Sequence, residues 1–360
     1  MVRIEPQVAV EFPQYKPIVA NTNSMTEIDA VISLGGDGTL LHVNTLFQGD
    51  TAVPPVISFA LGSLGFLTPF PISCYVSVVL QMLQAHGDAP PIRVLVRMRL
   101  KCQMFLPSQP QQPNNDNHPP NNSLSDSLNQ SLPTQHYNTD ITPKGNHPIN
   151  PENPVPGHIL RRMSDPLVFA TLFAAREKSS FEHHVLNELI ISRVGLSLVA
   201  LDVYIDDVYS TTCNSDGLIV STPSGSTAYS MAAGGPMVAP NVPAIVITPV
   251  CPHSLSFRPL VLSDSARIKI ITQTPAMITC DGREPVAIPK GTLVHVGLSE
   301  WALPSIIPDS TNSMWMDTIT RKLQWNLRAS TALEGKQYSN HTAKAQKNFS
   351  LWAGASRSSL

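Results

Sequence analysis

VISLGGDGTLLHVNTLF, residues 31–47, places a short apolar run directly before two glycines, an aspartate and a third glycine. An apolar segment of helical spacing follows. Read as strand, glycine loop and helix, it puts the loop at the carboxyl edge of a parallel sheet, where open α/β folds bind ligands. Glycines at 35, 36 and 38 let backbone approach a phosphate, and the helix start offers free N–H groups. A carboxylate at Asp37 would repel that phosphate. It makes sense there if it takes a proton from a hydroxyl nucleophile or holds a divalent cation. Phosphoryl transfer from a nucleotide to an alcohol needs both services. Asp-Gly is also an ordinary turn dipeptide.

Outward from this loop, strands and helices alternate. QVAVEF (7–12), AVISLGG and PPVISFAL read as buried strands, and LLHVNTLF and SVVLQMLQ as helices. This predicts an α/β domain over 1–98 built on a parallel sheet, with RVLVRMRLKC (93–102) as a strand leaving it. Pro107–Pro156 holds 11 prolines and 10 asparagines with no periodic apolar face. It reads as a disordered insertion. The following segment is rich in short β-branched runs, among them LNELIISRV, GLIVSTP, AIVITPV and LVHVGLS. These predict an all-β, sandwich-like domain over 99–305, interrupted by the insertion. MWMDTITRKLQWNLR has Trp315, Ile319, Leu323 and Trp325–Leu327 at helical spacing, predicting a helix within 306–328 that returns to the α/β domain. A disordered tail is expected over 329–360.

The chain has 360 residues and a formal net charge of −2, so no basic excess argues for nucleic acid. No run of 18 apolar residues predicts a membrane span. Five cysteines stand apart at 74, 102, 213, 251 and 280 without CxxC spacing, which favours a reducing compartment. With no apolar signal-peptide core at the start, a cytoplasmic location is expected.

A second constellation occupies TCNSDGLIVSTPSGSTAYSMAAGGPMVAP, residues 211–239. Thr222, Ser224, Ser226, Thr227 and Ser230 offer hydroxyls, and Tyr229 offers a flat ring in a short helix that Ser226 or Thr227 would cap. Such a set suits a nucleoside with phosphates, and equally a Ser/Thr-rich turn capping a core helix. Asn187-Glu188 opens an apolar strand; alone it reads as a strand end reaching solvent. Asp216-Gly217 and Asp281-Gly282 read as turns. His183-His184 precede that strand with no third ligand close in sequence, so no metal site is expected from side-chain clusters, Asp37 aside.

LGGDGTLL, VLNELIIS, DGLIVSTPSGSTAYSMAAGGP and AIVITPVCPHSLSFRPLVL, in that order, resemble the NAD kinase family, as do ALGSLGFLTPF, MITCDGR and LQWNLR. The likeness runs from about Asp29 to Arg328. The GGDG loop alone is unspecific, since diacylglycerol kinases and phosphofructokinases carry similar loops. The Thr-Pro-Ser-Gly-Ser-Thr-Ala-Tyr block is highly specific.

The resemblance implies ATP- and Mg²⁺-dependent phosphorylation of the adenosine 2′-hydroxyl of NAD, with NADH as the alternative substrate, by a homo-oligomer. It implies an N-terminal α/β domain and a C-terminal sandwich-like domain. Asp37 would accept the proton, with Gly38 beside it, and Gly35, Gly36, Gly38 and Thr39 would form the ATP phosphate loop. Asn187 and Glu188 would contact NAD, Asp216 would face its nicotinamide end, and Thr227, Ala228, Tyr229 and Ser230 would line its adenosine. Ala232 stands where many relatives have Ser, at a cost of about 0.5–1.5 kcal/mol for one lost hydrogen bond. Cys280 stands where Ser is common. Relatives usually carry a further strand and helix before QVAVEF, so a shortened N-terminal domain is expected. Two other readings stay open: a lipid or sugar kinase sharing the glycine loop, and a non-catalytic NAD(H)- or NADP-binding protein.

Overall fold

The computed structural model describes residues 2–17, 28–83, 92–107, 181–308 and 310–326. The insertion beyond Pro107 and the tail after 328 lie outside the described residues. The elements in chain order are β1 (Arg3–Ile4), α1 (Pro6–Ala9), β2 (Lys16–Pro17), β3 (Val31–Leu34), α2 (Asp37–Leu46), β4 (Val56–Ala60), β5 (Phe70–Pro71), α3 (Tyr75–Leu83), β6 (Arg93–Arg97) and β7 (Leu100–Phe105). Then come β8 (Phe181–Val185), β9 (Glu188–Arg193), β10 (Val199–Ile205), β11 (Val208–Ser215), β12 (Gly217–Ser221), α4 (Tyr229–Ala232), β13 (Ala244–Val250), β14 (Leu260–Ser263), β15 (Ile268–Thr272), β16 (Ala276–Cys280), β17 (Arg283–Ile288), β18 (Leu293–Leu298), β19 (Leu303–Ile307) and α5 (Thr311–Leu323).

The first sheet runs β3-β4-β19-β6, with β5 also on β4. β3, β5 and β19 are parallel to β4, and β6 is antiparallel to β19. All five residues of β4 are buried, as a strand covered on both faces must be. Val56 packs with Leu40 and Val43 of α2, whereas Ile57 and Phe59 pack with Val78 of α3 and Ile306. Each such side chain contributes about 1.5–3 kcal/mol of burial, so the helix carrying Asp37 is anchored by its own apolar stripe.

The β-rich part has two six-stranded sheets, β11-β10-β15-β18-β7-β8 and β14-β13-β12-β9-β16-β17, paired antiparallel throughout. The alternation of β7 and β16 buries every second residue. Leu100, Leu189, Leu201, Val220, Ile270 and Val294 belong to the shared core.

Four expectations are corrected. QVAVEF is no strand: Pro6 sits at the first turn of the short helix α1, where its fixed φ and missing N–H favour helix initiation. RVLVRMRLKC is two strands in two sheets, broken at Met98-Arg99. Leu303–Ile307 is a strand of the first sheet rather than the end of the β-rich part. The final helix stops at Leu323, because Gln324 takes the left-handed conformation that caps it. Trp325 therefore lies beyond it.

Candidate functional site

The turn after β3 delivers Asp37 to the first position of α2. Phe66 N donates to Asp37 Oδ2 at 2.9 Å, and Leu67 N and the Thr68 hydroxyl each donate to Oδ1 at 3.0 Å. Successive N–H groups thus form a nest around the carboxylate. A Cβ on Gly65 would fall 1.6 Å from Asp37 Oδ1, so only glycine lets this turn close on the acid. Of about four acceptor positions on the carboxylate, three are filled. One further partner can be taken, which suits a single hydroxyl proton better than a multiply coordinated ion. Gly36 and Gly38 border open space, while Gly35 packs on the Thr39 side chain. The open side of the loop is therefore beside the acid.

Arg97, at the end of β6, lies behind this turn and is 2% exposed. Its guanidinium donates to Phe66 O at 3.3 Å, Ser224 Oγ at 3.0 Å and Ser305 Oγ at 3.2 Å. Burial pushes it down to about 10, while the charge of Asp37 pulls it up. It stays cationic at neutral pH and offsets Asp37 across the turn.

On the other side, Asp281 and Gly282 form the two-residue turn between β16 and β17, both with positive φ. That is the hairpin geometry that Asp-Gly favours. The sequence reading as a turn is right for the backbone and incomplete for the side chain. Asp281 accepts from Leu186 N at 2.9 Å, Asn187 N at 2.7 Å, Glu188 N at 3.2 Å and Asn44 Nδ2 at 3.1 Å. Burial still raises it above the usual carboxylate range against those donors. Arg283 Nη2 donates to Gly38 O at 2.9 Å. Arg99, fully buried, adds Nη1 bonds to Asn44 Oδ1 at 3.1 Å and Phe47 O at 2.8 Å. Helix α2 is thereby fastened to the β-rich part along its length.

Asn187 and Glu188 are 6% and 5% exposed, so the expectation of a solvated strand end is wrong. Asp281 draws their N–H groups inward. Asn187 Oδ1 and Glu188 Oε2 have no hydrogen-bond partner among the described residues. Burial, with Asp281 beside it, pushes Glu188 up to about 8. Thr222 N donates to Asn187 O at 2.9 Å, and a Cβ on Gly225 would lie 2.1 Å from that oxygen. The 222–230 segment is therefore pressed onto Asn187. Hydrogen bonds thus run from Asp37 to the 65–68 turn, from that turn to Arg97, from Arg97 to Ser224, from the 222–225 segment to Asn187, from Asn187 to Asp281, and from Asp281 through Asn44 back to α2.

The hydroxyl-rich segment is mostly self-satisfied. Thr222 donates to Leu186 O at 2.6 Å, Ser226 to Pro223 O at 2.7 Å, and Ser230 pairs with Thr248 Oγ1 at 2.8 Å. All three are fully buried. Neither Ser226 nor Thr227 caps α4, whose cap position is Ala228 and receives no side-chain bond. Ser226 instead holds Val238 N at 2.9 Å, and Thr227 bonds Ser224 O at 3.2 Å. Tyr229 is 43% exposed. With Asp216, Arg193, Ser192, Val250 and Thr279 it lines a cleft of about 520 Å³. Asp216 is paired with Arg193 Nε at 2.7 Å. Ala232 is exposed outside this lining, and Thr227 borders a water-sized cavity beside Arg97 and Trp315 instead.

Arg97, Arg99 and Arg283 were not singled out by sequence, and Asp281 was read only as a turn residue. The available signal was phase: in RVLVRMRL, Arg97 and Arg99 fall on the same alternation as Leu95, which is buried. Charged residues in an apolar phase mark a polar core.

Models of the ATP-NAD kinase N-terminal and C-terminal domains match residues 14–87 and 186–307. The NAD(+) kinase of Saccharomyces cerevisiae is 32% identical over 83% of this chain, which spans 46% of that protein's length. The uncharacterized kinase C3H5.11 of Schizosaccharomyces pombe is 32% identical over 87% of this chain and 67% of its own. The chain spans half or less of the length of most curated relatives it matches most strongly. The crystal structure of yeast NADH kinase complexed with NADH aligns at a TM-score of 0.64 and 27% identity, covering 91% of this chain and 80% of that one. The chain belongs to the NAD kinase family.

Proposed function

We propose that the chain transfers the γ-phosphoryl group of ATP to the 2′-hydroxyl on the adenosine ribose of NAD or NADH. Asp37 accepts the hydroxyl proton at its one free acceptor position. Gly36, Gly38 and the N-terminus of α2 receive phosphate oxygens through backbone N–H groups. Mg²⁺ or another divalent cation enters with the ATP phosphates as part of that substrate.

The observation that carries this reading is the ring joining Asp37 to Asn187, Glu188 and the 222–230 segment. It links a proton acceptor to two unpartnered polar atoms and to the segment that carries the exposed Tyr229 ring. Asn187 and Glu188 then bond the ribose and amide groups of the dinucleotide, Tyr229 covers its adenosine, and Asp216 lies toward its nicotinamide end. Glu188, held protonated near neutral pH, can donate as well as accept. The yeast enzymes named above carry NAD or NADH in their names, which supports a dinucleotide over a lipid or sugar acceptor. The assembly is a homo-oligomer on this reading.

The test is incubation of the purified chain with NAD, ATP and Mg²⁺, with chromatographic detection of NADP. NADP accumulating in step with ADP supports the proposal. ADP release at the same rate with and without NAD, and no NADP, refutes it.

A further inference from the structure

We propose that Asp50, Glu182 and His184 bind a divalent cation of the zinc class, which clamps the end of α2 to the β-rich part. Asp50 follows α2, whereas Glu182 and His184 lie on β8, more than a hundred residues later. The sequence expects no metal site from His183-His184; the fold instead brings Asp50 beside Glu182 and His184, with His183 outside the group. Both histidines lie on a strand of their own, β8, which precedes β9.

His184 is fully buried. Its Nδ1 is 2.8 Å from Ser299 Oγ. That hydroxyl donates to Trp301 O at 3.3 Å and accepts Trp301 N–H at 3.0 Å. In the tautomer that carries the proton on Nδ1, that hydroxyl accepts it and Nε2 keeps a bare lone pair. Nε2 has no hydrogen-bond partner among the described residues. It points at Asp50 Oδ1, 3.9 Å away, and Glu182 Oε1, 4.0 Å away.

The three ligand atoms lie within 4.8 Å of one another. Zinc bonds nitrogen and oxygen at about 2.0–2.2 Å and so spans ligand pairs up to roughly 4.4 Å apart. That limit is the linear one; the tetrahedral arrangement holds ligand atoms roughly 3.4 Å apart, so both carboxylates must close by about half an ångström on His184 Nε2 and the exposed Asp50 must swing further toward Glu182. Glu182 is already oriented, since Gln103 Nε2 donates to its Oε2 at 2.8 Å and leaves Oε1 facing the cluster. One imidazole with two carboxylates suits zinc or its first-row neighbours better than magnesium or calcium.

The place is built for a cation. Lys101 Nζ lies 2.8 Å from Glu182 Oε1 and 3.4 Å from Asp50 Oδ1. The ammonium answers the carboxylates and leaves His184 Nε2 unanswered; a metal ion answers all three. Lys101 is a long, partly exposed side chain, free to swing outward when the ion enters.

The experiment is calorimetric titration of zinc chloride into the chelator-treated chain, its Asp50→Asn variant and its Lys101→Met variant, with thermal melting of each. Asp50 is 67% exposed, so its substitution leaves the fold intact. The expected result is one saturable site in the wild type, weakened roughly tenfold or more in Asp50→Asn and tightened in Lys101→Met. Zinc should raise the melting temperature of the wild type and not that of Asp50→Asn. Absence of saturable binding in the wild type, equal affinity in wild type and Asp50→Asn, or weaker binding by Lys101→Met would each overturn the proposal. None of these readouts depends on kinase activity.

Discussion

The guanidinium of Arg283 donates to the backbone carbonyl of Gly38 at 2.9 Å, one residue from the Asp37 carboxylate. A hairpin of the β-rich part thus holds the first turn of α2. Arg283 makes no contact with the Asp37 carboxylate, so it acts as a positioning residue. Arg283→Met keeps much of the side-chain volume and removes the bond. Turnover should fall roughly tenfold or more, since a misplacement of about 1 Å can cost 10²-fold. NAD affinity and melting temperature should change little. Steady-state kinetics and binding titration would show it, and a fall in affinity with unchanged turnover would assign Arg283 to binding instead.

Glu188 is held up at about 8 from an ordinary value of 4.5, by burial and then by Asp281. Between those values the folded chain keeps a proton that the unfolded chain releases. Its contribution is therefore fully present below about pH 4.5 and is lost as pH rises through 8. At about 1.4 kcal/mol per unit the effect is on the order of a few kcal/mol. Glu188→Gln should flatten the stability profile across that window, with Asp281, raised in the same direction, leaving a residual slope. Urea denaturation at stepped pH is the measurement. Parallel profiles for wild type and variant would show that Glu188 ionises as in water.

Much of this arrangement was legible in the sequence. Strand, glycine loop and helix at 31–47 stand where the spacing placed them, because an apolar run ended by glycines has few other solutions. The β-rich half followed from alternation. The sequence could not show that Ser226, Thr222 and Ser230 spend their hydroxyls on nearby backbone and side-chain groups, since a hydroxyl serves a ligand or a turn with equal ease. Nor could it show that Asp281 gathers three N–H groups from residues more than ninety positions earlier. Long-range polar contacts leave no local period.

Tyr229 tests the dinucleotide site from its exposed side. Tyr229→Ala should weaken NAD binding by about 1–3 kcal/mol, the worth of a base stacked on an aromatic ring, or roughly 5- to 150-fold. ATP binding should move much less, and Tyr229→Phe should lose little. Its exposure predicts an unchanged melting temperature. Calorimetric titration decides it: equal NAD affinity in Tyr229→Ala and wild type removes the ring from the site.

Met104 of β7 lies opposite Phe181 of β8 in an antiparallel ladder. The chain ends flanking 108–180 are therefore neighbours. Replacing 108–178 with a short Gly/Ser linker should leave the melting temperature within a few degrees, because closing a loop costs only about 0.6 kcal/mol per doubling of length. Loss of the cooperative transition would show that the replaced segment packs against the sheets.

Asp37→Asn bears most directly on the central claim. The amide retains the size of the side chain, but its NH₂ group meets an N–H donor of the 66–67 turn. A loss of about 1–3 kcal/mol in stability accompanies the change. The decisive measurement pairs the turnover of NAD to NADP with the dissociation constant for NAD, in wild type and Asp37→Asn. Removal of the proton acceptor should cut turnover by about 10²–10⁴ with NAD affinity nearly unchanged. Turnover within a few-fold of wild type, or a loss of NAD affinity that matches the loss of rate, would contradict the assignment of Asp37 as the group that takes the ribose proton.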